Sequence, residues 1–280
     1  MKIANYNGRA ALIKDGKAID LHNATDGRLP SDPRQIFDHW DEVRSIASEL
    51  ENLPGEEIDP KLLGAPSPEP KQVFAIGLNY APHAAESGFA VPSNPFVFSK
   101  LRSSIAGPNG DLTLFSETVD WEVELVAVIG KKAWKVDKAD AWEYVAGVTV
   151  GQDFSDREVQ NRVGPNSQPT LGKSRPGFGP TGPWLVTPDE FADRNNIPLS
   201  CSINGEVVQN GTTAGLIFGV EELISYLSDV TELHPGDLIF TGTPAGVGIG
   251  QNPPRYLKEG DVVDTFIEGI GTMRHVAVAL

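Results

Sequence analysis

Apolar positions along this chain recur mostly with a period of two, in short runs broken by glycine and proline, which is the pattern of short β-strands. Near the start, Ala10-Ala11-Leu12-Ile13 and Ala18-Ile19-Asp20-Leu21 flank the turn pair Asp15-Gly16, with Asn7-Gly8 before them, predicting a hairpin or small meander. From Pro33 to Leu50 the spacing widens. Ile36, Trp40, Val43, Ala47 and Leu50 return at steps of three and four behind Ser31 and Asp32, which predicts an amphipathic helix. Residues 53–70 then hold five prolines and two glycines with no periodicity, so a boundary is expected near residue 66. Residues 1–66 would form a small N-terminal α+β domain, and residues 67–280 the main body.

In the body, strands are predicted at 73–76, 95–99, 111–114, from Val119 through Ile129, and at 145–150 and 184–186. A hairpin around Asn204-Gly205 joins 199–203 to 206–209, and strands at 238–241, 262–267 and 272–278 complete the series. Helices are predicted only at 138–144, 155–162 and 220–229. Strands outnumber helices, no regular βαβα alternation is visible and no internal repeat appears, so the fold class is mainly β with α+β elements.

Composition narrows the partners. The 280 residues carry a formal charge of −15, which argues against binding nucleic acid or an anionic membrane. A small anionic substrate would need local positive charge. Cys201 is the only cysteine, so no intrachain disulfide and no cysteine-based zinc site is expected. The chain opens on a polar, strand-like segment without an export signal, and no apolar run approaches membrane-spanning length, so a cytoplasmic location is expected.

The chemistry gathers around Asp120-Trp121-Glu122-Val123-Glu124-Leu125 and Gly151-Gln152-Asp153. On a strand, Glu122 and Glu124 share one face. Two carboxylates on a strand that continues as Val126-Ala127-Val128-Ile129 are costly unless compensated, and a bound cation is the simplest compensation. With Asp153 the set is three hard oxygen donors, suited to Mg²⁺ or Mn²⁺, or Ca²⁺, rather than Zn²⁺. The same pattern also fits the wet face of a half-exposed strand. In Gly77-Leu78-Asn79-Tyr80-Ala81-Pro82-His83-Ala84-Ala85-Glu86-Ser87-Gly88, one helical turn would set Glu86 beside His83 as a general base with its supporting acid, or leave both as surface residues. The glycines at either end would suit a lid.

Arg157 and Gln160, three apart after Asp153, would face a ligand at the carboxylates, or Arg157 would pair with Asp156 or Glu158. Leu171-Gly172-Lys173-Ser174 lacks the earlier glycine of a phosphate loop, whose place is taken by Ser167. Lys173 reads instead as a fixed cation opposite developing negative charge. The glycine-rich run from Thr241 to Gly250, with Thr243, opens no helix and does not match a dinucleotide fingerprint.

The ordered set Gly-Leu-Asn-Tyr-x-x-His-x-x-Glu, Asp-Trp-Glu-Val-Glu-Leu, Gln-Asp-x-Ser-x-Arg-Glu-x-Gln, Gly-Lys-Ser and Thr-Gly-Thr-Pro-x-Gly-Val, running from about Val73 onward, resembles the fumarylacetoacetate hydrolase family. The resemblance implies a mixed β-sandwich or roll, usually homodimeric, with a divalent metal at the mouth of the sheet. It implies Glu122, Glu124 and Asp153 as metal ligands and His83 with Glu86 as the dyad that activates water. Lys173, Arg157 and Gln160 would hold a small 2-oxo acid and stabilise its enolate, with Tyr80 and Thr243 as further substrate contacts. One departure concerns the substrate: many members follow Gly-Lys-Ser with an aromatic residue and an Asp, whereas here Arg175-Pro176-Gly177 precede Phe178.

The activity so implied is metal-dependent hydrolysis of a C–C bond in a 2,4-dioxo acid, of acylpyruvate or diketo-deoxy sugar acid type, giving pyruvate or a related 2-oxo acid and a carboxylic acid. Decarboxylation of oxaloacetate or isomerisation of a hydroxylated dienedioate would use the same enolate. A catalytically silent ligand-binding protein is the reading from outside the enzymes.

Overall fold

The computed structural model describes every residue except 87, 163 and 165–167, so Ser87 of the expected lid and Ser167 lie outside the described residues. The chain begins with β1 (Lys2–Tyr6), β2 (Arg9–Lys14) and β3 (Lys17–Asp20), the meander that the two turn pairs predict. Asn7 and Asp15, at the turns, take positive φ values of 52° and 49°, a conformation that asparagine and aspartate accept better than most side chains. The predicted helix is divided: a 3₁₀ turn (Ile36–His39) leads into α1 (Trp40–Leu50), which buries Trp40, Val43, Ile46, Ala47 and Leu50.

The body contributes β4 (Val73–Gly77), β5 (Phe96–Ser99), β6 (Asn109–Leu114), β7 (Val123–Ile129), β8 (Val145–Gln152), β9 (Gly179–Val186), β10 (Pro198–Ile203), β11 (Glu206–Thr212), β12 (Leu238–Phe240), β13 (Val262–Ile267) and β14 (Gly271–Ala279). From the short edge strand Glu56–Glu57, which pairs with β3, the large sheet runs β3-β2-β1-β9-β8-β7-β12-β4-β5, and a second sheet runs β11-β10-β13-β14-β6. Most neighbours are antiparallel; β4 and β12 run parallel, as do β6 and β14. The N-terminal meander joins the body directly, because Lys2 and Ile3 of β1 pair with Val186 and Leu185 of β9. The result is a sheet-rich α+β fold.

Several predicted elements differ from the structure. The strand expected from Val119 through Ile129 is interrupted: Val119–Asp120 and β7 are separate strands, with Trp121 and Glu122 between them. The helix expected over 155–162 is shorter: Ser155 and Asp156 pair as a strand with Val119 and Asp120, and the helix begins at Arg157, with the Asp156 carboxylate capping Val159 N–H. The strand expected at 184–186 extends back to Gly179. Its Gly-Pro-Thr-Gly-Pro sequence reads as a chain breaker, but β8 and β9 shift register between Val148 and Val150 and so bridge the segment.

β7 is buried over its full length. Leu125, Ala127 and Ile129 face the core shared with the second sheet, while Val126 and Val128 face the core beneath α1 and β12. The central strand is thus held from both sides, and its leading end carries the acidic residues.

His275 on β14 is buried with its ring edge-on to Phe154 at 5.9 Å, and Nε2 lies 3.2 Å from the Gly107 carbonyl. Burial pulls its pKa down to about 4. At neutral pH the ring is uncharged both folded and unfolded. As pH falls through the ordinary value, the unfolded chain takes up the proton and the folded chain refuses it, so stability is lost between about 6.5 and 4. The full effect is about 3 kcal/mol. In denaturant titrations at about pH 7 and about pH 4.5, the parent should lose more stability than His275→Gln; equal losses would show that His275 does not govern the acid limb.

Candidate active site

Acidic residues converge where β7 begins and β8 ends. Glu124 pairs in register with Gly151, and the chain after β8 carries Asp153, whose N–H donates to the Glu122 carbonyl at 2.9 Å. One carboxylate oxygen from each of Glu122, Glu124 and Asp153 lies within 4.8 Å of the others, and all three residues are buried.

Their surroundings are unequal. Lys173 Nζ donates to Glu122 Oε2 and to Asp153 Oδ2, both at 2.7 Å, and Arg157 donates to Glu122 Oε1 at 2.7 Å. Burial would raise the Glu122 pKa, but Lys173, Arg157 and His83 outweigh it and bring it to about 2. Glu124 instead accepts from Gly242 N–H at 2.8 Å, and no ion pair to it is formed among the described residues. Burial, with Asp153 and Glu122 nearby, holds its pKa well above the ordinary carboxylate range. A buried oxygen cluster with one carboxylate lacking a cation matches the donor chemistry of Mg²⁺, Mn²⁺ or Ca²⁺.

The cations are tied in turn. Burial lowers the Lys173 pKa, yet Asp153 and Glu122 overcome it and leave the ammonium above its usual value. Arg157 is likewise held charged against burial by Asp120 and Glu122, and its third contact is Gln160 Oε1 at 2.9 Å. Of the two arrangements open to Arg157, the surface pairing with Asp156 or Glu158 is not the one formed: its partners are Asp120, Glu122 and Gln160. Arg175, at the departure from the family pattern, pairs with Asp156 at 3.0 Å and lies over the Phe115 ring.

His83 and Glu86 occupy α2 (Ala81–Glu86), and Nδ1 of His83 lies 2.8 Å from Glu86 Oε1. In a neutral imidazole beside an ionised Glu86, this contact would put the proton on Nδ1 and leave Nε2 to accept one. Glu86 also accepts from Gly246 N–H at 3.0 Å, which docks the glycine-rich run against the dyad. Gly246 has φ +107° and an added Cβ would lie 2.0 Å from the Val208 carbonyl oxygen, so only glycine fits this approach.

His83, Glu86, Glu122, Glu124, Asp153, Arg157, Gln160, Lys173 and Thr243 all line one cavity of about 740 Å³. Thr243 Oγ1 accepts from Gln209 at 2.7 Å. Tyr80 is not brought to that wall: its ring is buried beside Gly215, its backbone bridges to Leu216, and its hydroxyl has no partner among the described residues. The structure thus sets Tyr80 behind the lining residues, where burial and then Glu124 raise the phenol pKa.

Two residues escaped the sequence reading. Asp120 accepts from Trp121 N–H at 2.8 Å, Gly248 N–H at 2.7 Å, Ile249 N–H at 3.0 Å and Arg157 Nε at 2.9 Å, and so ties the glycine-rich run to Arg157. It has the same parity as Glu122 and Glu124, a signal that was present. Lys100, fully buried, donates to Asp153 and to the Lys173 and Phe178 carbonyls, and burial lowers its pKa. A lone lysine after a strand carries no sequence signal of such long-range partners.

Comparison with known proteins bears on this geometry. An HpcE-like protein of Mycobacterium smegmatis superposes with a TM-score of 0.95 at 45% identity, covering 100% of this chain and 99% of that one. The mitochondrial oxaloacetate tautomerase FAHD2A of Homo sapiens is 42% identical over 92% of this chain and 83% of its own length. The maleylpyruvate hydrolase of Sphingobium sp. SYK-6, solved with manganese(II) and pyruvate, superposes at 0.82 with 26% identity over 100% of this chain and 99% of that one. No helix among the described residues is long and apolar enough to cross a membrane. The profile of the fumarylacetoacetate (FAA) hydrolase C-terminal region matches residues 72–278, and the chain belongs to the fumarylacetoacetate hydrolase family.

Proposed function

We propose that this chain is a divalent-metal-dependent hydrolase of a C–C bond in a 2,4-dioxo acid, releasing pyruvate or a related 2-oxo acid and a second carboxylic acid. The observation that carries the reading is the buried cluster of Glu122, Glu124 and Asp153 opening on the same cavity as the His83 and Glu86 pair. Glu122, Glu124 and Asp153 would hold Mg²⁺ or Mn²⁺, with Ca²⁺ also admitted by the donors. When bound, the ion supplies Lewis-acid stabilisation of negative charge at the 2-oxo acid end.

The chain's own groups account for the remaining demands. His83 Nε2 takes a proton from water, and Glu86 stabilises the imidazolium that results. Hydroxide adds at C4, the C3–C4 bond breaks, and its electron pair passes into the enolate of the departing 2-oxo acid. Lys173 and Arg157 place fixed positive charge on that side of the cavity, Gln160 and Thr243 supply polar contacts, and a proton finally returns to C3.

The name of the human relative favours a second reading, in which the same groups interconvert keto and enol forms of a 2-oxo acid without water at C4. Product analysis separates them. With Mg²⁺ or Mn²⁺, an acylpyruvate or a diketo-deoxy sugar acid should yield a 2-oxo acid and a carboxylic acid in equal amounts, and chelator should stop it. Turnover of oxaloacetate tautomers alone would support the second reading, and CO₂ release from oxaloacetate would make the chain a decarboxylase.

We also propose a homodimer working in the cytoplasm. Val91, Leu101 and Leu171 are exposed apolar side chains, available for burial against a second copy. Light scattering at micromolar concentration should give twice the 30.1 kDa chain mass; a monomer would remove the proposal.

A further inference from the structure

We infer that the substrate carries, beyond its 2-oxo acid head, an uncharged apolar tail that lies along an aromatic wall formed by Phe98, Phe96 and Phe89. The inference rests on the proposed 2-oxo acid reading and specifies what that reading leaves open. The cavity is polarised. The carboxylates Glu122, Glu124 and Asp153 and the cations Lys173 and Arg157 cluster at its inner end, and Lys173 Nζ is 5.5 Å from the centre of the Phe98 ring. Phe98 meets Phe96 at 6.4 Å between ring centres. Both rings project from β5, and Phe89 lines the same cavity.

Exposure shows that the fold packs the inner ring of this wall but leaves the outer two open. Phe98 is 6% exposed, whereas Phe96 is 44% and Phe89 61% exposed; large aromatic side chains ordinarily bury most of their surface. The wall is also built into the strands. Gly77 stands opposite Phe96 in register, and a Cβ there would come within 2.6 Å of the Phe96 ring, so glycine lets the ring lie flat over β4.

Charge selects against a second carboxylate. Among the described residues, the cations lining the cavity are Arg157 and Lys173, both bonded to carboxylates at the inner end. Glu86, on α2 ahead of Phe89, adds another carboxyl group. A terminal carboxylate extending from the head would lose water without gaining a partner, whereas an alkyl or aryl group would bury apolar area against the rings.

The test uses equilibrium binding and does not depend on which bond the enzyme breaks. Calorimetric titration of the Mn²⁺-loaded protein would compare pyruvate, longer straight-chain 2-oxo acids up to 2-oxooctanoate, and 2-oxoadipate. Affinity should rise about fourfold per methylene, and 2-oxoadipate should bind at least about tenfold more weakly than 2-oxohexanoate of equal length. Phe96→Ala, at a partly exposed position, should flatten the series while leaving pyruvate affinity unchanged. Pyruvate binding with no gain from added methylenes, or a preference for 2-oxoadipate, would overturn the apolar tail and leave the 2-oxo acid reading standing. If neither pyruvate nor any longer member binds, both are overturned.

Discussion

Glu124→Gln is expected to abolish the rise in melting temperature that Mn²⁺ produces in the parent, and with it turnover, while the metal-free variant melts no lower than the metal-free parent. The sign follows from the unequal surroundings of the three carboxylates. Glu124 is buried with Gly242 N–H as its hydrogen-bond donor and, among the described residues, no cation paired to it, so an uncharged amide of the same shape relieves a buried charge in the absence of metal. With metal present, the same change removes one of three anionic donors. Asp153→Ala should also lose the metal response but with the opposite effect on the metal-free protein. It strips Lys100 and Lys173 of a shared partner, and breaking a buried ion pair from one side costs about 3 to 5 kcal/mol. Thermal melts of the three proteins with and without Mn²⁺ check this. A full Mn²⁺ shift in Glu124→Gln would sink the ligand assignment.

How much of this was legible beforehand follows from the range of the interactions involved. The alternation through Glu122 and Glu124 and the three-residue step from His83 to Glu86 are local, and the structure brings each pair together. The turn pairs at Asn7-Gly8 and Asp15-Gly16 likewise fix β1 to β3 through positive φ at both residues of each pair. Sequence spacing does not reveal which charges meet across the fold. Arg157 reaches Asp120 across 37 positions and Lys100 reaches Asp153 across 53, so the sequence alone leaves a pairing of Arg157 with Asp156 or Glu158 open and gives Lys100 no partner. Tyr80 lies within a chemically rich motif, but its place is set by contacts far along the chain: its backbone bridges to Leu216 and its ring lies against Gly215. The glycine-rich run gained its meaning only from three dimensions. Gly246 meets Glu86 while Gly248 and Ile249 meet Asp120, so one loop spans the dyad and the support of Arg157.

His83→Ala should lower hydrolysis by about 10² to 10⁴ while leaving the Mn²⁺ melting shift intact. The imidazole reaches the metal-ligand set only through space, whereas its hydrogen bond runs to Glu86 and from there to Gly246 N–H. Its removal should therefore spare the three carboxylates. Glu86→Gln separates the parts of the dyad. The amide can still accept from Nδ1–H and Gly246 through its oxygen, so geometry is retained while the charge that stabilises the imidazolium is lost; its rate should fall between those of the parent and His83→Ala. Rates measured on whichever dioxo acid the parent cleaves, alongside melts with Mn²⁺, give the answer. A full rate in His83→Ala would exclude it as the base. A lost metal shift in the same variant would mean that the dyad and the carboxylates are one structural unit, and the assignment of separate roles would fail.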